Sequence, residues 1–238
     1  GFNLTTPHKE VVLDSSLPLV DKAKRIGAIN TLFRDKGAGN ESWRAANTDG
    51  LGFVDYIEKE LGFDCSFKNL VVLGAGAASR AISLELSSLS PSKLTIMNRS
   101  KRDWESDSFW SGLGGAEGEV DLEFISLKEE SRCQARVFRE AELLINATSW
   151  GLGGEALDRV PWDFRGLSRE SLVVDCNYLP TGEATPFMNL FDSSLDCYDG
   201  SGMLRWQAGH SFELWTGIRV GRGEEMALKS HLDKLDRP

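Results

Sequence analysis

The chain has 238 residues, of which 41% are hydrophobic and 26% charged, a balance that marks a globular protein with enough chain for one or two domains and a sizeable core. A net charge of −9 argues against a nucleic-acid or anionic-membrane partner, and no apolar run is long enough to span a bilayer. Cys65, Cys133, Cys176 and Cys197 are far apart with no C-x-x-C, so reduced thiols in a cytosol are expected; His8, His210 and His231 add no ligand spacing, so no metal is expected.

Residues 1–5 read as a strand that Thr6-Pro7 ends, and a helical stretch begins at Lys9. Residues 28–33 are a second strand, 35–40 a Gly-containing turn, and 42–46 the returning strand of a hairpin. In Asn47-Thr48-Asp49-Gly50, Thr48 or Asp49 is placed to cap a helix carrying Phe53, Ile57 and Leu61.

From Leu70 the rhythm changes. The apolar run 70–73 reads as a buried parallel strand, Gly74-Ala75-Gly76 as a tight turn, and 77–89 as a helix with Ile82, Leu86 and Leu89 on one face. Strand, Gly-x-Gly turn and helix make a diphosphate cradle, because free N–H groups and the helix dipole point at one anion. Ser79 stands where the full fingerprint has a third small residue, and an ordinary strand-to-helix turn is the plainer alternative. Further strands are predicted at 93–97, 121–125, 142–146 and 171–175, with a short one at 195–198. Helices fill most gaps, although 103–119 reads as a loop with a broken helix. This order is that of a doubly wound parallel α/β sheet. Residues 204–215 and 224–235 read as two closing helices.

The second strand of such a sheet decides between dinucleotides. NAD-binding units place an acidic residue at its tip for the ribose 2′-hydroxyl. Here the strand runs into Asn98-Arg99-Ser100-Lys101-Arg102, with three cations and no acid. Guanidinium groups suit a 2′-phosphate, so NADP is the expected cofactor; the plain alternative is a solvated basic turn.

Eight motifs then occur in order: GFNLTTPHK (1–9), AINT (28–31), NTDGLGF (47–53), GAGAASRA (74–81), NRS (98–100), INATSWG (145–151), DCNYLPTGEATPF (175–187) and GMLRWQAGHSFELWTG (202–217). In these motifs the chain resembles the shikimate dehydrogenase family over nearly its whole length. The resemblance implies a Rossmann-like NADP-binding domain over 50–203 and a smaller α/β substrate domain from 1–49 with 204–238. It implies reversible reduction of 3-dehydroshikimate to shikimate, a step of chorismate and aromatic amino-acid biosynthesis, by a cytoplasmic monomer or homodimer. Lys9 takes the position of the family's catalytic lysine and Asp49 that of its partner. Thr5, Asn30 and Gln207 take positions that bond the ring hydroxyls, and Tyr178 that of a tyrosine near the substrate. His8 is expected to be a bystander. For the cofactor, the resemblance implies Gly74, Ala75, Gly76, Ala77 and Ala78 at the diphosphate. It implies Asn98, Arg99, Ser100, Lys101 and Arg102 at the 2′-phosphate, and Thr148, Ser149, Cys176 and Gly200 near the nicotinamide.

Two departures from the family pattern stand out. Asp103 occupies the place of a second basic residue. The family's first strand and helix, with a Ser-x-Ser motif for the substrate carboxylate, have no counterpart here, so the substrate domain is expected to be N-terminally truncated. The chain as given is then expected to bind NADPH and to oxidise shikimate at a negligible rate. A quinate/shikimate dehydrogenase preferring NAD and an inactive nucleotide-binding fragment are the alternatives.

Overall fold

The computed structural model describes residues 1–5, 8–11, 17–35, 42–99, 104, 106–113, 120–126, 131–150 and 162–221. The chain forms two compact units, Gly1–Phe63 with Gly202–Pro238, and Asp64–Ser201. No helix among the described residues is long and apolar enough to cross a membrane.

The first unit is built on a three-stranded antiparallel sheet of β1 (Phe2–Asn3), β2 (Thr31–Asp35) and β3 (Ser42–Ala46), in that order. The expected hairpin is β2–β3, in register from Thr31 opposite Ala46 to Asp35 opposite Ser42. The first strand is shorter than residues 1–5, but its pairing runs on: Leu4 N donates to Asn30 O at 2.7 Å. Ala23, Ile29, Leu32 and Ala45 form one buried cluster of this unit, with Leu4, Leu17, Leu19 and Trp43 packed against it. The helical stretch at Lys9 is the single turn α1 (His8–Val11), and α2 is Asp21–Ile26.

The helix expected after Asn47 is α3 (Asp49–Asp55), continued by a π-helical turn over Tyr56–Glu60. It belongs to the first unit, although the sequence reading placed it beyond the boundary at 49/50. The reason is its packing on the closing helix α7 (Ser201–Thr216). Gly52 lies so near α7 that a Cβ there would come within 2.5 Å of Gln207 N. Asp55 meets His210 at 3.0 Å, and Glu60 takes Arg205 at 2.8 Å and the Trp206 indole N–H at 3.2 Å. The helix expected at 224–235 lies outside the described residues.

The second unit is a six-stranded, wholly parallel sheet in the order β6-β5-β4-β7-β8-β9. Its strands are β4 (Asn69–Leu73), β5 (Lys93–Asn98), β6 (Asp121–Ser126), β7 (Leu143–Asn146), β8 (Leu172–Asp175) and β9 (Asp196–Tyr198). Each expected strand is present within about a residue of its place. The order reverses between β4 and β7, which is the dinucleotide-binding topology, and ligands of such sheets bind at the strands' carboxyl ends beside that reversal. Val71, Leu73, Leu144 and Val173 are almost fully buried, as apolar runs covered on both faces must be. Helices α4 (Ala77–Ser87), α5 (Ser108–Ser111) and α6 (Ser131–Glu140) complete the unit, α5 being the short helix inside the expected loop. Ile82 and Leu86 of α4 are fully buried.

Candidate functional site

In the first unit the Lys9 ammonium lies 2.7 Å from Asp49 Oδ2. Backbone bonding brings them together: α1 is tied to the sheet by Ile29 N donating to Lys9 O at 2.9 Å, and Asp49 opens α3. The Asn47 side chain fixes that start, accepting from Asp49 N at 2.9 Å and donating to Ala28 O at 3.1 Å. Asp49 is 4% exposed, so its carboxylate is held by partners rather than by water.

Those partners orient one another. Asn30 Oδ1 accepts from Thr48 N at 2.9 Å and Thr31 Oγ1 at 2.7 Å. That choice turns its Nδ2 toward Asp49 Oδ1, at 2.8 Å, and Gln207 Oε1, at 3.0 Å. Gln207 Oε1 also accepts from Thr48 Oγ1 at 3.2 Å and from Asn3 Nδ2 at 3.3 Å. With its carbonyl so occupied, Gln207 has its NH₂ left to donate. Ser211 Oγ closes the cluster against Thr31 Oγ1 at 2.8 Å and Thr48 Oγ1 at 3.2 Å. Thr48 does sit at the N-cap of α3, but its hydroxyl makes no capping bond and serves this network instead.

Of the candidate site residues, Lys9, Asp49, Asn30 and Gln207 are therefore brought together. Thr5 is exposed, and its hydroxyl makes no bond to any of those four; its carbonyl accepts from His8 N at 2.9 Å. His8 is exposed. Tyr178 lies in the second unit and is 40% exposed, so it is no core tyrosine. Asn3, Thr31, Thr48 and Ser211 were missed. Thr31 and Thr48 stand beside Asn30 and Asp49 in the quoted motifs, and Ser211 lies one turn after Gln207 on α7, which was the available signal.

In the second unit the Gly turn has the shape of a phosphate cradle. Gly74 has φ +100°, and a Cβ on it would lie 2.9 Å from Thr148 Cγ2 and 3.2 Å from Ala147 O, so glycine is required by both torsion and space. Gly76 is the opposite case: a Cβ there would meet nothing within 4 Å. Gly76 precedes α4 with no side-chain cap on the helix's first N–H groups. Open space beside uncapped N–H groups fits a dinucleotide diphosphate. Ser79, fully buried, is tolerated as the third small residue because its hydroxyl donates to Gly74 O at 2.8 Å. Asn98 ends β5 and Arg99 after it is exposed; Ser100, Lys101 and Arg102 lie outside the described residues.

Thr148 follows β7, its Oγ1 donating to Asn146 Oδ1 at 2.6 Å, and Ser149 is exposed. Gly200 lies against Cys176, where a Cβ would come within 2.1 Å of the Cys176 carbonyl oxygen, and its N–H donates to Asn177 O at 2.8 Å. The sequence reading overlooked Asp175, at the end of β8. Burial pushes its carboxyl above the ordinary value, opposed by hydrogen bonds from Thr185, Asn177 and Asn146. A single acid ending the apolar run Leu172–Asp175 was its signal.

Comparison with known proteins decides the family. A curated relative from Dechloromonas aromatica, named shikimate dehydrogenase (NADP(+)), is 36% identical over 229 residues, 95% of this chain and 76% of the relative. One of the same name from Staphylococcus haemolyticus is 34% identical over 218 residues, 91% of this chain and 72% of the relative. The chain belongs to the shikimate dehydrogenase family. No family model matches it. The crystal structure of the shikimate 5-dehydrogenase from Listeria monocytogenes, in complex with shikimate and NAD, has a TM-score of 0.79 over 97% of this chain and 76% of that one. Its identity is 23%, so that likeness bears on the shikimate dehydrogenase fold alone.

Proposed function

We propose that this protein is an NADP-dependent dehydrogenase that interconverts 3-dehydroshikimate and shikimate. The observation that carries the reading is the Lys9–Asp49 pair at 2.7 Å, seated in the Asn30–Thr48–Gln207 network of a chain belonging to this family. A nicotinamide dinucleotide, when bound, would supply or take up the hydride. The chain's own residues manage the proton and the ring. In the reducing direction the carbonyl π bond breaks as hydride reaches carbon, and Lys9 delivers a proton to the carbonyl oxygen, forming the hydroxyl. In the oxidising direction the same proton returns to Lys9. Asp49 aims the lysine by accepting from its ammonium at 2.7 Å. The Gln207 NH₂ is the donor on offer to a polyhydroxylated ring, Asn30 serving to orient Asp49 and Gln207, and fixing that ring supplies part of the rate through positioning.

For the cofactor, the residues described fit a dinucleotide. The Gly74–Ala78 turn would hold the diphosphate, and Arg99 the 2′-phosphate by a charge-assisted pair. Biosynthetic chemistry of this kind and four widely spaced cysteines support a cytosolic placement. Initial rates with shikimate and with quinate, each with NADP+ and with NAD+, test the reading. The expected result is a preference for shikimate with NADP+; a preference for NAD+ or for quinate would replace it with the related NAD-preferring activity.

A further inference from the structure

One buried carboxylate ties together the exits of two neighbouring strands and the loop that follows them. Asp175, last residue of β8, is 1% exposed. Its Oδ1 accepts from Asn146 Nδ2 at 2.9 Å, Asn177 Nδ2 at 2.9 Å and Asn177 N at 3.1 Å. Its Oδ2 accepts from Thr185 Oγ1 at 2.6 Å. The links continue outward. Asn146 Oδ1 accepts from Thr148 N at 3.1 Å and Thr148 Oγ1 at 2.6 Å, and Asn177 Nδ2 also donates to Thr148 O at 2.9 Å. Thr185 Oγ1 accepts from Met188 N at 3.2 Å.

A parallel sheet needs no charge here. Val173 and Val174 before it are fully buried, and an apolar residue at 175 would continue the run without the cost of desolvating a carboxylate. What the carboxylate does is hold polar backbone in place at the carboxyl ends of β7 and β8, the side of the sheet where ligands sit. It fixes the Asn146–Thr148 exit and the Asn177 backbone, and Gly200 N in turn bonds Asn177 O at 2.8 Å. Arg99, just after β5, follows a strand separated from β8 by two others, β4 and β7, in the sheet order.

We infer that Asp175 and Thr185 are positioning residues for the nicotinamide half of the cofactor, acting through the Asn146–Thr148 and Cys176–Asn177 backbone, while the adenine half is held independently of them. The inference rests on the NADP reading above. Thr185→Val keeps the shape of the side chain and removes the donor to Asp175; Thr185→Ser keeps the donor.

The test is equilibrium titration of the protein and both variants with NADPH and with adenosine 2′,5′-bisphosphate, which carries the adenine end and the 2′-phosphate alone. Thr185→Val is expected to weaken NADPH roughly tenfold, the equivalent of one buried hydrogen bond, and to change the bisphosphate by less than about twofold. Thr185→Ser is expected to match the native protein for both ligands. Equal losses for both ligands, or no loss for either, would overturn the inference, as would native protein that binds NADPH no better than the bisphosphate. If NADPH and bisphosphate behave as expected while quinate is oxidised in preference to shikimate, the positioning role stands and the proposed substrate falls.

Discussion

The Lys9 ammonium and the Asp49 carboxylate form a charge-assisted pair at 2.7 Å, and Asp49 is the more buried partner, its side chain 6% exposed against 23% for Lys9. The second carboxylate oxygen is taken by Asn30 Nδ2 at 2.8 Å. Asp49→Asn would leave an amide of the same size that cannot accept from both neighbours with both of its atoms. Turnover is expected to fall by about a hundredfold or more, in the range of lost general acid–base function, with NADPH affinity unchanged. Steady-state rates beside a cofactor titration check this; loss of NADPH binding in parallel would mean that Asp49 serves the fold instead.

Gly74 and Gly76 stand two residues apart and should respond differently to one methyl group. Gly74→Ala forces φ +100° on an alanine and presses on Thr148, so a loss of about 1–3 kcal/mol in stability is expected. Gly76→Ala meets no atom within 4 Å, so stability should hold while NADPH affinity drops, because the methyl occupies the diphosphate's approach. Thermal melts of the apo-proteins and NADPH titrations separate the two effects. Native affinity in Gly76→Ala would remove the diphosphate from this turn.

Arg99 is exposed just beyond β5. Its replacement by alanine should cost about 1.5–3 kcal/mol of NADPH binding, the value of a hydrogen bond to a charged group, and leave NADH binding nearly unchanged. Titrating Arg99→Ala with both cofactors gives the answer. Equal losses would show that Arg99 does not recognise the 2′-phosphate.

Asp55 supplies a pH dependence. Burial works to raise its pKa, but hydrogen bonds and charge from His210 and Lys59 outweigh it and hold the carboxyl below its ordinary 3.8. A depressed folded-state value contributes stability above the ordinary value and loses it as pH falls through the folded one. Asp55→Asn should therefore be less stable than the native protein near neutrality, and the gap should close in acid below about pH 3.8. Urea midpoints across that range are the measurement; a gap constant with pH would assign the effect to packing.

The parallel sheet was legible because apolar runs bounded by glycines and polar turns carry their own signal, and 70–73 needed only the Gly-x-Gly turn after it to declare a ligand edge. Lys9, Asp49, Asn30 and Gln207 were legible through their motifs, not through periodicity. What escaped was any role set by a partner far along the chain. Thr48 reads as a helix cap until Gln207, 159 residues away, takes its hydroxyl at 3.2 Å. Asp175 reads as the end of a strand until Asn146 and Thr185 converge on it. The two compact units divide after Phe63 rather than near residue 50 for the same reason, since the contact of Gly52 with Gln207 is tertiary.

Lys9 offers the most direct test of the proposed chemistry. With protein in excess over NADPH, addition of 3-dehydroshikimate should consume the cofactor's absorbance in a single turnover, and Lys9→Ala should slow that decay by about a hundredfold or more while binding NADPH normally. Decay at the same rate in native protein and Lys9→Ala would contradict Lys9 as the proton donor.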